Sequence, residues 1–89
     1  SIPEHILTLI DNNAVDDAIV SLDRLIDSQP DNDEAFFLRG KLHWQLGQRK
    51  NALNDYHRAA ELNPGGPAAG VIEMTMSIMN FYNKDLYNP

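Results

Sequence analysis

Apolar side chains recur along this chain at intervals of three and four residues. The clearest run is Val15, Ala18, Ile19, Leu22, Leu25 and Ile26, which lie on one face of an α-helix. No stretch alternates β-branched with polar residues, so no strand is predicted. Five helices follow from the pattern and its punctuation. Pro3 and Glu4 suit the first turn of a helix that continues through Ile6, Leu7, Leu9 and Ile10. Asp11-Asn12-Asn13 makes a turn, and Asn13 is predicted to cap the second helix, with Asp16 and Asp17 near its N-terminal dipole. Gln29-Pro30-Asp31-Asn32 stops that helix. Asn32 or Asp33 caps a third, running through Ala35, Phe36, Leu38, Leu42 and Leu46 to a left-handed Gly47. A fourth runs from about Arg49 to Leu62, where Asn63-Pro64-Gly65-Gly66 breaks it. Pro67 opens a fifth that reaches about Tyr82, and residues 83–89 read as a tail.

These signals repeat. Pro30 and Pro64 stand 34 residues apart, and the same offset relates Ala18 to Ala52, Leu22 to Tyr56 and Leu25 to Ala59. The segment from Asp33 to Pro64 reads DEAFFLRGKLHWQLGQRKNALNDYHRAAELNP. It carries Phe36, Gly40, Leu46-Gly47, Ala52, Tyr56, Ala59 and Pro64 at spacings that resemble the tetratricopeptide repeat family, whose unit is a pair of helices. Gly40 and Ala52 are small where the pair crosses closely, and Tyr56 fills the space beside them. An earlier unit keeps Ala18, Leu22, Leu25 and Pro30, but it has Ile6 at the glycine position and Asn12-Asn13 in place of Leu-Gly. The tail from Phe81 to Asn88 also resembles the ending of small stand-alone tetratricopeptide proteins of Bacteroides-type bacteria. The resemblance implies an all-α fold, a right-handed α-α superhelix of two helix pairs with a C-terminal capping helix. Its units are expected at about 1–32 and 33–66, with the terminal helix at about 67–82, in one domain spanning residues 1–89.

Charge separates the units. Residues 1–34 hold nine carboxylates and one cation, Arg24, whereas residues 35–66 hold five cations and two carboxylates. The whole chain of 89 residues has 7 Lys+Arg against 13 Asp+Glu, a net charge of −6. That balance disfavours nucleic acid, which needs a basic face. The chain has no cysteine, no apolar run near the ~20 residues of a bilayer span, and no Gly-rich phosphate loop. His5, His43 and His57 fall on different helices without metal-ligand spacing, so no metal site is expected, and no serine or threonine has a motif pairing it with a histidine and an acid. His43 stands at a core aromatic position and is expected to pack half-buried. The expected protein is cytoplasmic and not an enzyme, with no cofactor and no small-molecule substrate. It begins at Ser1 rather than Met, which leaves a trimmed leader open.

The resemblance implies protein–protein interaction through a concave groove lined by the first helix of each pair. Carried over by position, the groove of the middle unit is Phe37, Lys41, Trp44 and Gln45. In the last helix it is Ala68, Val71, Thr75, Ile78 and Met79, and in the first helix Pro3, Leu7, Ile10 and Asp11. The predicted partner-binding set is Ile10, Phe37, Lys41, Trp44, Gln45, Val71, Thr75, Ile78 and Met79. Lys41 stands alone as a cation there, so the carboxylate clamp of some family members is not expected; the anchors are Phe37 and Trp44. The last helix holds all three methionines and one charge, Glu73, between Ala68 and Tyr82. Apolar side chains cover about two-thirds of its circumference, against the ~100° stripe of an ordinary surface helix. Gly70, Met74, Ser77 and Phe81 are predicted to pack on the middle unit, leaving Ile72, Met79 and Tyr82 as a homodimer patch unless Leu86 and Tyr87 fold back over it. The expected partner is an unidentified peptide or protein, with homo-oligomerisation as the alternative.

Overall fold

A computed structural model describes residues 1–82, with the side chains placed through Met79. Among these residues there are five helices and no strand: α1 (Glu4–Asp11), α2 (Val15–Ser28), α3 (Asp33–Gln45), α4 (Arg49–Leu62) and α5 (Ala68–Tyr82). Each helix packs chiefly on its neighbours in sequence, so the molecule extends as a stack 48 Å long and 18 Å thick. The expectations for the tail, including Leu86 and Tyr87, lie outside the described residues.

The turn inside each pair is built the same way. Gly47 takes φ +76°, its N–H bonds the Trp44 carbonyl at 3.0 Å, and the Gln48 N–H bonds the His43 carbonyl at 2.9 Å. In the first pair Asn13 takes φ 59°, its N–H bonds Ile10 at 3.0 Å, and the Ala14 N–H bonds Leu9 at 2.9 Å. Both are left-handed helix terminations in which two orphan carbonyls are satisfied by the residues that leave the helix. Asn13 therefore closes α1 and does not cap α2. The cap of α2 is Ala14, with no side-chain hydrogen bond, because asparagine tolerates the left-handed region and the turn needs it there. Asn32 does cap α3: its Oδ1 accepts from the Ala35 N–H at 3.2 Å.

The core has two parts. Ile6, Ala18, Leu22, Leu25, Ala35 and Leu42 are buried together where α1, α2 and α3 meet, with Ile10 and Leu38 packed against them. Ala52, Tyr56 and Ala59 are buried along α4. Gly40 has no room for a side chain: a Cβ there would lie 2.8 Å from Tyr56 Cε1 and 3.2 Å from the Ala52 carbonyl.

The rotation of α5 about its axis differs from expectation. Ala68 and Thr75 are its buried residues, at 2% and 5% exposure, with Val71, Ile72 and Met79 half-buried on the same side. Met74 is 60% exposed, Ser77 is exposed, and nothing lies within 4 Å of a Cβ at Gly70. Two small residues two helical turns apart let α5 lie close against α4, and long side chains such as Met74 turn outward. The predicted packing face is thus the solvent face. Most of the predicted dimer patch is the packing face, with the side chains of Phe81 and Tyr82 outside those described.

Candidate functional site

The stack leaves an open cleft of about 530 Å³ on the side of the first helices. Its wall from α1 is Leu7, with Ser1 and Ile2 from the chain just before that helix. Its floor is Phe37 and Leu38 of α3, and Pro67 closes the end nearest α5. Leu7 is 41% exposed, a large apolar surface offered to solvent. Behind the floor, Phe37 packs on Tyr56 at 5.7 Å between ring centroids, tilted by 48°. Lys41 Nζ stands 5.5 Å from the Phe37 centroid, a cation over the same ring.

The remaining lining is acidic. Asp33 and Glu34 form the first turn of α3, where carboxylates suit the positive end of the helix. The Asn63 amide donates to Asp33 Oδ2 at 3.1 Å. The Asn32 amide donates to the Ser1 carbonyl at 3.1 Å, and the Ser1 amino group lies 4.0 Å from Glu34 Oε1.

The other expected groove residues are dispersed. Ile10 packs half-buried on the core, and Thr75 is buried between helices, so neither lines an accessible groove. Trp44 is half-buried with the Arg49 guanidinium 5.3 Å above its ring, and Gln45 is exposed at the end of α3. Val71 and Met79 are half-buried, and Ile78 is 45% exposed. Of the nine, Phe37 lines the cleft and Lys41 touches it through that ring.

One cluster escaped the sequence reading. Asp55 is 5% exposed, and Arg39 donates to both its carboxylate oxygens, Nε to Oδ2 and Nη2 to Oδ1, each at 2.8 Å. The third nitrogen of Arg39, Nη1, donates to Asp23 Oδ1 at 2.8 Å. His43 Nε2 stands 3.7 Å from Asp55 Oδ2, while its Nδ1 lies 2.7 Å from Gln48 Oε1. His43 is half-buried. The hydrogen bonds it donates to Asp55 hold the Arg39 guanidinium above its ordinary range despite its burial. The fork geometry ties α2, α3 and α4 together. A signal existed: Asp55 lies three residues after Ala52 and four before Ala59, in the stripe that α4 buries. Tyr56 beside it has its phenol raised, first by burial and then by the Asp55 charge.

Among the described residues no group of three or more His, Asp or Glu is placed to hold a metal ion, and no helix is long and apolar enough to cross a membrane.

Residues 33–65 match the family model described as tetratricopeptide repeat. The fold is similar to the solution NMR structure of the Bacteroides fragilis protein BF1650, with a TM-score of 0.80 and 41% identity over 96% of this chain and 87% of that one. The cell division cycle protein 27 homolog of Caenorhabditis elegans is 33% identical over 79 residues, which is 89% of this chain and 9% of that protein. With two helix pairs in a 34-residue register, the same terminations in both, and a likeness along nearly its whole length, the chain belongs to the tetratricopeptide repeat family.

Proposed function

We propose that this chain is a non-catalytic interaction module that takes a segment of a partner protein into the cleft between α1 and α3. Tetratricopeptide repeats are protein–protein interaction modules, and the observation that carries the finer reading is the cleft itself. It is concave and floored by Phe37 and Leu38, and its wall, Leu7, is exposed without need for the fold. An apolar anchor seated there removes both surfaces from water, at about 25 cal/mol per Å². Lys41 over Phe37 sets one edge of the site.

The test is capture of partners from native lysate on immobilised wild-type protein and on Leu7→Asp. Leu7 is exposed, so the substitution spares the core, and loss of one well-buried anchor is expected to weaken capture at least about tenfold. Trp44→Ala, outside the cleft, is expected to retain capture. Undiminished capture by Leu7→Asp overturns the reading.

A second reading is favoured by α5. Met74 is 60% exposed, Ile78 lies one turn further on at 45%, and Met76 is 41% exposed. Met74 and Ile78 share one face and offer a surface for self-association, while Met76 lies on the other side of the helix. Light scattering of wild type and Ile78→Asp over a concentration series separates the two readings.

A further inference from the structure

We infer that the segment received by the cleft carries a lysine or arginine directly beside its apolar anchor; this rests on the cleft being the binding site. The floor and wall select an apolar side chain but not its neighbours. The neighbours are selected by the mouth, where Asp33 and Glu34 stand side by side on α3. Glu34 keeps 62% of its side chain exposed, and the cationic group nearest it, the Ser1 amine, sits at 4.0 Å.

Of the cations on the surrounding helices, Lys41 alone is placed beside a residue of the cleft lining. Arg39 is saturated by Asp55 and Asp23. Lys41 is held over Phe37. Arg24 lines a separate cleft with Pro3 and His5. The segment that supplies most of the lining is acidic as a whole: residues 1–34 hold nine carboxylates and one cation, Arg24. A cationic side chain arriving beside the anchor is attracted by the exposed Glu34 and by Asp33, and an acidic one is repelled by them. The complementarity is electrostatic and solvent-exposed, so it sets preference and not the bulk of the affinity.

The probes are three acetylated, amidated pentapeptides, Gly-Lys-Leu-Leu-Gly and its Gln and Glu counterparts, titrated into the full chain and followed by amide resonances of Leu7, Glu34, Phe37 and Leu38. At low ionic strength the Lys peptide is expected to bind about two- to fivefold more tightly than the Gln peptide, and the Glu peptide more weakly than either. In ~1 M salt, where screening acts within ~3 Å, the three are expected to converge. Glu34→Lys, an exposed substitution, is expected to reverse the order. Equal binding of the Lys and Glu peptides, or an order unchanged by Glu34→Lys, overturns the inference while the cleft stands as a binding site. Absence of any shift at Leu7 and Phe37 removes the cleft reading and this inference with it.

Discussion

The two helix pairs solve one crossing in opposite ways. In the second pair the first helix offers Gly40 and the second answers with Tyr56, whose ring edge leaves a Cβ at Gly40 only 2.8 Å away. In the first pair the corresponding residues are Ile6 and Leu22, both fully buried. The large side chain sits on one helix in one pair, and the space is shared between both helices in the other. Ala18 and Ala52 occupy the same register and are both 0% exposed, so the backbones approach at the alanine in each case. What the repeat keeps is the volume filled at the crossing, not the residue at each position.

The comparison breaks most visibly if the residues are exchanged. Gly40→Ile puts the first pair's side chain into the second pair against an unchanged Tyr56. A loss of about 3 kcal/mol is expected, near the total a domain this small commands. Tyr56→Leu alone leaves a cavity and is expected to lose about 2 kcal/mol. Combined, the two rebuild the arrangement of Ile6 and Leu22, and the loss is expected to fall at least about 1 kcal/mol short of the sum. Urea unfolding followed by circular dichroism measures all three. Strict additivity would mean that the pairs do not exchange volume.

The pairs also differ in polarity. Arg39 and Asp55 of the second pair have His5 and Ser21 as their 34-residue counterparts in the first. Where the former close into an ionic cluster with Asp23 of α2, the latter line an open cleft of about 230 Å³. One surface is knitted to a preceding helix and the other faces solvent. Asp55→Asn leaves the Arg39 guanidinium, only 20% exposed, with Asp23 as its remaining carboxylate. A loss of about 2–3 kcal/mol is expected, below the usual range for a fully buried pair because of that residual partner. Asp23→Asn, on a half-exposed side chain, is expected to change stability by less than about 1 kcal/mol. Ser21→Ala in the first pair is expected to stay within about 0.5 kcal/mol. Thermal unfolding of the three variants ranks them.

Much of this was legible in the sequence. The 34-residue offset, the helix ends at Pro30 and Pro64, and the tight meeting of Gly40, Ala52 and Tyr56 follow from local signals that repeat. The orientation of α5 was not. A helix apolar around most of its circumference has no polar face from which to read its rotation, and the residues that decide it, Ala68 and Thr75, are small rather than oily. The ionic cluster was hidden for another reason. Arg39 lies 16 residues from each of its carboxylates, a separation that no helical period produces. The cleft was half legible. Leu7 and Phe37 fall at positions the repeat assigns to a groove, but Ser1, Ile2 and Pro67 enter from segments between helices, where a helix projection says nothing.

The smallest contrast between the pairs is silent at neutral pH. Tyr56 and Leu22 hold equivalent positions, but only Tyr56 titrates. Burial raises its phenol above the ordinary value near 10, and the adjacent Asp55 charge raises it further, because both disfavour the phenolate. In the unfolded chain the phenol ionises at its ordinary value, so above pH ~10 the unfolded state loses a proton that the folded state still keeps. The stability associated with the neutral phenol is therefore complete below pH ~10 and is lost as pH climbs toward the folded-state value. A faster decline in unfolding free energy is expected above pH ~10 for the wild type than for Tyr56→Phe, with the two curves parallel from pH ~7 to ~9. Every other group is common to both proteins and drops out of the difference. Curves that stay parallel through the alkaline range would mean that the crossing opens enough at Tyr56 to hydrate the phenolate, and that Gly40 is not held against a closed ring.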